Sequence, residues 1–168
     1  VTGVQTCALP IFAVGIKEGD LFRFGVGLDN IGSRYTGMDR LTLNAYVDSP
    51  SGFGDQISAS RVQALGSGQF EYNRVGYTAP VGRSGLKLGA AYSWLHYRAG
   101  QELANLSSVG EGTSTLLTAR YPIIRQRMTN LYVNGSWEKK ASRGDTLGVR
   151  VSDKATKLWN IGLQGDHV

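Results

Sequence analysis

The chain has 168 residues, 41% hydrophobic and 18% charged, with a net charge of +5 and a pI near 9.5. That length fits about one domain. No run of about 18 apolar residues exists to make a transmembrane helix, and Lys and Arg are scattered without a basic run, which argues for a solvated surface and against a nucleic-acid partner.

The 23 Gly, eight Tyr and three Trp favour strands and turns over helices. A mean hydropathy of -0.19 is compatible with a membrane barrel, whose strands are apolar only at every second position. Val1 to Ile11 carries no charge and no usable period, and reads as the conceptual translation of a sequencing adapter; it is set aside as a fusion scar. Cys7 goes with it, and with Cys7 the disulfide, zinc and thiol-nucleophile chemistries. Residues 12–168 are expected to form one partial domain without its natural N-terminus.

From Phe22 the residues alternate. Phe22, Phe24, Val26 and Leu28 share one face; Arg23, Gly25, Gly27 and Asp29 share the other. After a polar loop, Asn30 to Asp39, a second run sets Leu41, Leu43, Ala45 and Val47 against Thr42, Asn44, Tyr46 and Asp48. The two runs predict an antiparallel hairpin, ended by the Pro- and Gly-bearing turn Ser49 to Asp55. Large apolar side chains on one face and Gly, Asn, Thr, Arg and Asp on the other suit a wall between lipid and water. A one-sided sheet of a soluble sandwich shows the same period.

Gln56 to Leu65 alternates less cleanly, since Ile57 and Ala59 share one parity and Val62 and Ala64 the other; this predicts a β-bulge. Gly66-Ser67-Gly68 turns the chain into Phe70 to Val81, with Val75, Tyr77, Ala79 and Val81 opposite Arg74, Gly76 and Thr78. Pro80 to Gly85 is the next reversal. Leu86, Leu88, Ala90, Tyr92 and Trp94 then alternate with Lys87, Gly89, Ala91 and Ser93. Tyr92, Trp94 and Tyr97 suit either an aromatic girdle at a membrane interface or cross-strand aromatic packing.

A polar segment, Gly100 to Thr113, precedes a strand over Ser114 to Tyr121 and a break at Pro122 to Met128. Thr129 to Lys139 sets Leu131, Val133 and Trp137 against Tyr132, Asn134 and Glu138. A second long loop is predicted from Lys140 to Thr156, and a last strand, Leu158 to Asp166, sets Trp159, Ile161 and Leu163 against Asn160, Gly162 and Gln164. The chain therefore reads as all-β, with about eight antiparallel strands. Compact connections after the second, fourth and sixth strands and long ones after the fifth and seventh favour a transmembrane β-barrel over a sandwich.

No catalytic, metal or cofactor constellation stands out. Gly25-Val26-Gly27 lacks the rest of a dinucleotide fingerprint and lies inside a strand, and His96 and His167 are far apart without neighbouring ligands. No nucleophile elbow, P-loop or paired-His motif occurs. The predicted lumen face is Arg23, Asp29, Thr42, Asn44, Asp48, Arg74, Lys87, Ser93, Asn134, Glu138, Asn160 and Gln164.

Several ordered motifs carry a resemblance: Leu28 to Gly37 (LDNIGSRYTG), Ser49 to Asp55 (SPSGFGD), Tyr77 to Pro80 with Gly82, Tyr121 to Arg125 with Asn130 to Tyr132, and Leu163 to Asp166. Together they resemble the ShlB/FhaC/HecB family of two-partner secretion transporters, also called hemolysin secretion/activation proteins, over nearly everything after Phe12. The resemblance implies a sixteen-stranded barrel in the outer membrane of a Gram-negative bacterium, preceded by POTRA domains, of which this chain covers roughly the first half. It implies export of a large β-helical adhesin or hemolysin without nucleotide hydrolysis, no enzymatic activity and no cofactor. The implied partners are that secreted protein, outer-membrane lipid and lipopolysaccharide, with the complete barrel monomeric. The family's Arg-Gly-Tyr loop lies outside the segment, so no functional residue transfers. A porin, a barrel-assembly factor and a soluble β-sandwich binding module are the alternatives.

Overall fold

The computed structural model describes residues 20–66, 69–100 and 107–167. Val1 to Ile11, with Cys7, lies outside the described residues, as do Ser67 and Gly68 of one expected turn. Eight strands succeed one another: β1 (Phe22–Asp29), β2 (Arg40–Asp48), β3 (Gln56–Ala64), β4 (Gln69–Val81), β5 (Leu86–Arg98), β6 (Val109–Arg125), β7 (Thr129–Thr146) and β8 (Val149–His167). They form one sheet in the order β1 to β8, every neighbour antiparallel. An up-and-down sheet of this kind is the wall of a barrel.

A soluble sandwich needs a second layer and a dry core between the layers. Among the described residues only Ala64 and Ala99 are buried apolar residues, and no large side chain is fully buried. The apolar side chains instead line one continuous face. One ladder row runs Phe22, Val47, Ile57, Tyr77, Ala90, Leu117, Trp137, Trp159 across all eight strands.

Six residues further along β1, the same face changes character across the sheet: Leu28 and Leu41 give way to Gln63, Glu71, His96, Glu111, Arg143 and Asp153. The apolar band therefore steps diagonally across the hydrogen-bonded rows. Strands that tilt as they close into a barrel require this drift, because a band at constant depth cannot track a single row.

Ser93 on the opposite, polar face is 7% exposed, while Tyr92 and Trp94 on the apolar face are 48% and 40% exposed. Curvature toward the polar face produces that asymmetry, so the polar face is the concave one.

Four local expectations are corrected. The bulge expected within β3 is absent, since β3 pairs with β2 and β4 in unbroken register. Val62 and Ala64 simply sit on the concave face, opposite Tyr72 and Arg40, where the Arg40 guanidinium lies 4.1 Å above the Phe70 ring. The register instead slips at Pro122/Ile124 in β6 and at Gly144/Asp145 in β7; Pro122 has no N–H to give the ladder.

The long loop expected over Lys140 to Thr156 is strand on both sides of a tight turn at Leu147-Gly148, where both residues have positive φ, 52° and 75°. That is the type I′ hairpin geometry. The polar segment expected over Gly100 to Thr113 likewise gives way to strand from Val109. Finally, Tyr97 does not join Tyr92 and Trp94. It points to the concave face, where its ring lies against Gly110 so closely that a Cβ there would clash.

β7 and β8, 18 and 19 residues long, exceed the roughly 9–11 residues a strand needs to cross a bilayer. Their excess lies toward the Leu147-Gly148 turn. On the convex side of this end, ion pairs replace the apolar side chains: Arg61–Glu71 at 3.2 Å, His96–Glu111 at 3.6 Å and Arg143–Asp153 at 3.8 Å. The apolar band lies at the other end, near the turns after β2, β4 and β6.

One of those turns is built around Asp55, only 2% exposed. Its carboxylate accepts from the Ser51 hydroxyl at 2.8 Å, the Ser51 N–H at 3.2 Å and the Tyr77 hydroxyl at 3.0 Å. Burial pushes the Asp55 carboxyl up, but the hydrogen bonds from Ser51 and Tyr77 outweigh it and hold it below the usual carboxylate range.

Candidate functional site

The concave face is the candidate site. The ladder gathers every residue expected to face a lumen onto this one side: Arg23 and Asp29 from β1, Thr42, Asn44 and Asp48 from β2, Arg74 from β4, Lys87 and Ser93 from β5, Asn134 and Glu138 from β7, and Asn160 and Gln164 from β8. Period-two geometry alone does this, because an unbroken register carries parity from strand to strand.

The clearest row reads Gly25, Asn44, Ser60, Arg74, Ser93, Ser114, Lys140, Thr156, polar or glycine throughout. Ser60, Ser114, Lys140, Thr156 and, in a neighbouring row, Arg120 are additions that the sequence pattern did not single out. The parity of their strands would have found Ser114 and Arg120; Lys140 and Thr156 lay in the expected loop.

Some of these groups are tied to each other. Arg23 donates from Nη2 to Asp48 Oδ1 at 3.0 Å, and Gln56 Nε2 donates to the same oxygen at 2.6 Å. The Ser60 hydroxyl donates to Asn44 Oδ1 at 2.8 Å. Ser114 donates to Glu138 at 2.6 Å, and Lys140 pairs with Glu138 at 3.1 Å. Asn160 donates to Ser136 at 3.4 Å. Lys87 and Arg120 stand directly opposite one another, and the Arg120 guanidinium lies 4.1 Å above the Tyr132 ring. Asp29, at the rim, accepts from the Ile31 N–H at 3.3 Å.

The face is thus a field of amides, hydroxyls and charges, some of them paired and others, such as Lys87 opposite Arg120, set beside a like charge. No group of three metal-ligating side chains occurs among the described residues. The two histidines are apart and occupied locally: His96 beside Glu111 on the convex side, and His167 with Nδ1 2.8 Å from the Thr129 hydroxyl.

The model of the haemolysin secretion/activation protein ShlB/FhaC/HecB family matches residues 12–168. The chain belongs to this family.

Among curated relatives, the heme/hemopexin transporter protein HuxB of Haemophilus influenzae strain 86-028NP is 27% identical over 155 residues, which are 89% of this chain and 27% of that protein. HuxB of strain KW20 / Rd is 27% identical over 112 residues, 66% of this chain and 20% of that protein. The chain therefore spans about a quarter of the length of the relatives it matches. Among solved structures, CdiB from Escherichia coli superposes with a TM-score of 0.81 at 19% identity, covering 91% of this chain and 30% of that one. CdiB from Acinetobacter baumannii superposes at 0.72 and 22% identity, covering 89% and 29%. The fold of this ShlB/FhaC/HecB segment is therefore that of a partial antiparallel β-barrel.

Proposed function

We propose that the segment is part of the pore wall of a two-partner secretion transporter in the outer membrane of a Gram-negative bacterium. Its concave face lines a wet lumen through which a large adhesin- or hemolysin-type protein passes without nucleotide hydrolysis. The observation that carries this reading is the pairing of two unbroken rows on one sheet, the polar row through Arg74 and Ser93 and the apolar row through Tyr77 and Ala90.

A lumen lined by dispersed amides, hydroxyls and charges of both signs offers a moving chain weak, exchangeable contacts. Transport needs such contacts, because a tightly held substrate does not leave. The outward apolar band and the lack of a dry core among the described residues support insertion as a single-layer wall; we propose that the complete barrel is monomeric. The family and the transporter names of its relatives support a role in transport and not in catalysis.

The test replaces the first half of a working two-partner secretion barrel with residues 12–168. Heat-modifiable migration first shows that the barrel closed and inserted. Export of the cognate secreted protein is then expected, along with unchanged export when His96 or His167 is replaced by Ala. A closed, inserted chimera that passes small solutes but never the secreted protein, across several junctions and cognate partners, would assign the segment to a porin-like channel. Because the curated relatives are named heme/hemopexin transporters, their secreted partner belongs among the cargoes tried.

A further inference from the structure

On the convex face, Lys139 of β7 and Lys157 of β8 stand directly opposite each other in the ladder. Opposed like charges destabilise a sheet, and their Cβ atoms in such a pair are about 5 Å apart. Around them on this face are Thr115, Trp137, Ala141, Ala155 and Trp159, with no carboxylate among these described neighbours. The arrangement lacks an anion.

Two residues toward the apolar end, about 7 Å away along the strands, Trp137 and Trp159 pair across the same ladder with ring centroids 6.2 Å apart. Beyond the tryptophans the surface hollows into a groove of about 740 Å³, lined by Leu88, Ala90, Leu117, Ala119, Gly135 and Ile161. Gly135 opens its floor: a Cβ there would meet nothing within 4 Å.

Cation pair, aromatic pair and apolar groove succeed one another in the order of headgroup, interface and acyl chain in a lipid leaflet. The cationic end points toward the protruding strands and the Leu147-Gly148 turn, and the groove toward the turn after β6. We propose that this patch binds lipid A, the anchor of lipopolysaccharide, with Lys139 and Lys157 on a phosphate and the groove taking an acyl chain. This rests on the proposed function, in which the segment spans the outer membrane with its long strands outward, where the outer leaflet presents phosphorylated, multiply acylated lipid.

The test uses the full-length transporter that carries this segment, with Kdo2-lipid A and phosphatidylglycerol titrated separately and binding counted by native mass spectrometry. Variants are Lys139→Ala with Lys157→Ala, Lys139→Arg with Lys157→Arg, and Gly135→Leu, whose Cβ meets nothing within 4 Å and whose side chain extends into the groove. Wild type should prefer Kdo2-lipid A. The double alanine variant should bind it about thirtyfold more weakly, roughly fivefold per lysine at an anionic surface. The arginine pair should restore binding, and Gly135→Leu should weaken it with both lysines in place.

Unchanged lipid A binding in heat-modifiable, inserted variants overturns the proposal while leaving the transmembrane reading intact. Equal losses for phosphatidylglycerol reduce the patch to a general anionic surface and also overturn it, as does a protein dimer that the lysine variants dissociate. Failure of wild type and variants alike to insert removes the transmembrane reading, and this proposal with it.

Discussion

Placing an arginine on one face or the other of β6 should separate the two faces energetically. Ala119 lies on the apolar face between Leu88 and Gly135, with Leu117 before it and Tyr121 after it on the same side. Its neighbour Thr118 points to the concave face, between Gly89 and Ser136.

Each residue adds about 3.3 Å along a strand, or about 2.5 Å of depth at a tilt near 40°. The apolar stretch from Leu117 to Ile123 and its margins then fill most of a band about 25 Å tall, with Ala119 within a few ångströms of its centre. At that depth Ala119→Arg should cost about 2–4 kcal/mol, whereas Thr118→Arg, facing water, should cost about 1 kcal/mol or less. Urea unfolding of the full-length transporter in lipid vesicles measures both. Equal costs, or a larger cost for Thr118→Arg, would refute the assignment of faces.

Other consequences are local. Asp55 has a depressed folded-state pKa, so its stabilisation is complete above the unfolded value of about 3.9 and disappears as pH falls through the lower folded value; Asp55→Asn should flatten that part of a stability-versus-pH curve measured by urea midpoint, and a variant with the wild-type slope would disprove the role. Leu147, held at φ 52°, should be better replaced by Asn, with a gain of about 1 kcal/mol; the same unfolding assay showing a loss would contradict the turn geometry. Gly110→Ala must displace the Tyr97 ring and should cost about 1–3 kcal/mol as an overpacked contact, which Tyr97→Ala in the same chain should relieve.

The parts of the fold that were legible in the sequence are those where one face is apolar and the other polar. β1 and β2 begin and end where the alternation from Phe22 and Arg40 does, and the face shared by Arg23, Asn44, Arg74 and Asn160 could be assembled by parity. Toward the Leu147-Gly148 turn charged and polar residues occupy both faces, so the strands over Lys140 to Thr146 and Val149 to Thr156 carry too little apolar alternation and read as loop, although backbone pairing with neighbouring strands holds them. Val62 and Ala64 misled for a different reason. They face Tyr72 and Arg40 on the concave side, so a small apolar patch on a polar face imitated a change of phase. The Lys139–Lys157 pair was invisible for want of register, which places residues 18 positions apart side by side.

The most direct measurement of the central claim is a scan of single spin labels along Leu86 to Trp94 in the full-length transporter reconstituted in vesicles, read by oxygen and by a water-soluble nickel chelate. Labels at 86, 88, 90, 92 and 94 should be oxygen-accessible and shielded from the chelate, and labels at 87, 89, 91 and 93 should show the reverse, in strict alternation. Uniform accessibility to the chelate, or alternation with the phase inverted, would contradict a wall with lipid outside and a wet transport path within.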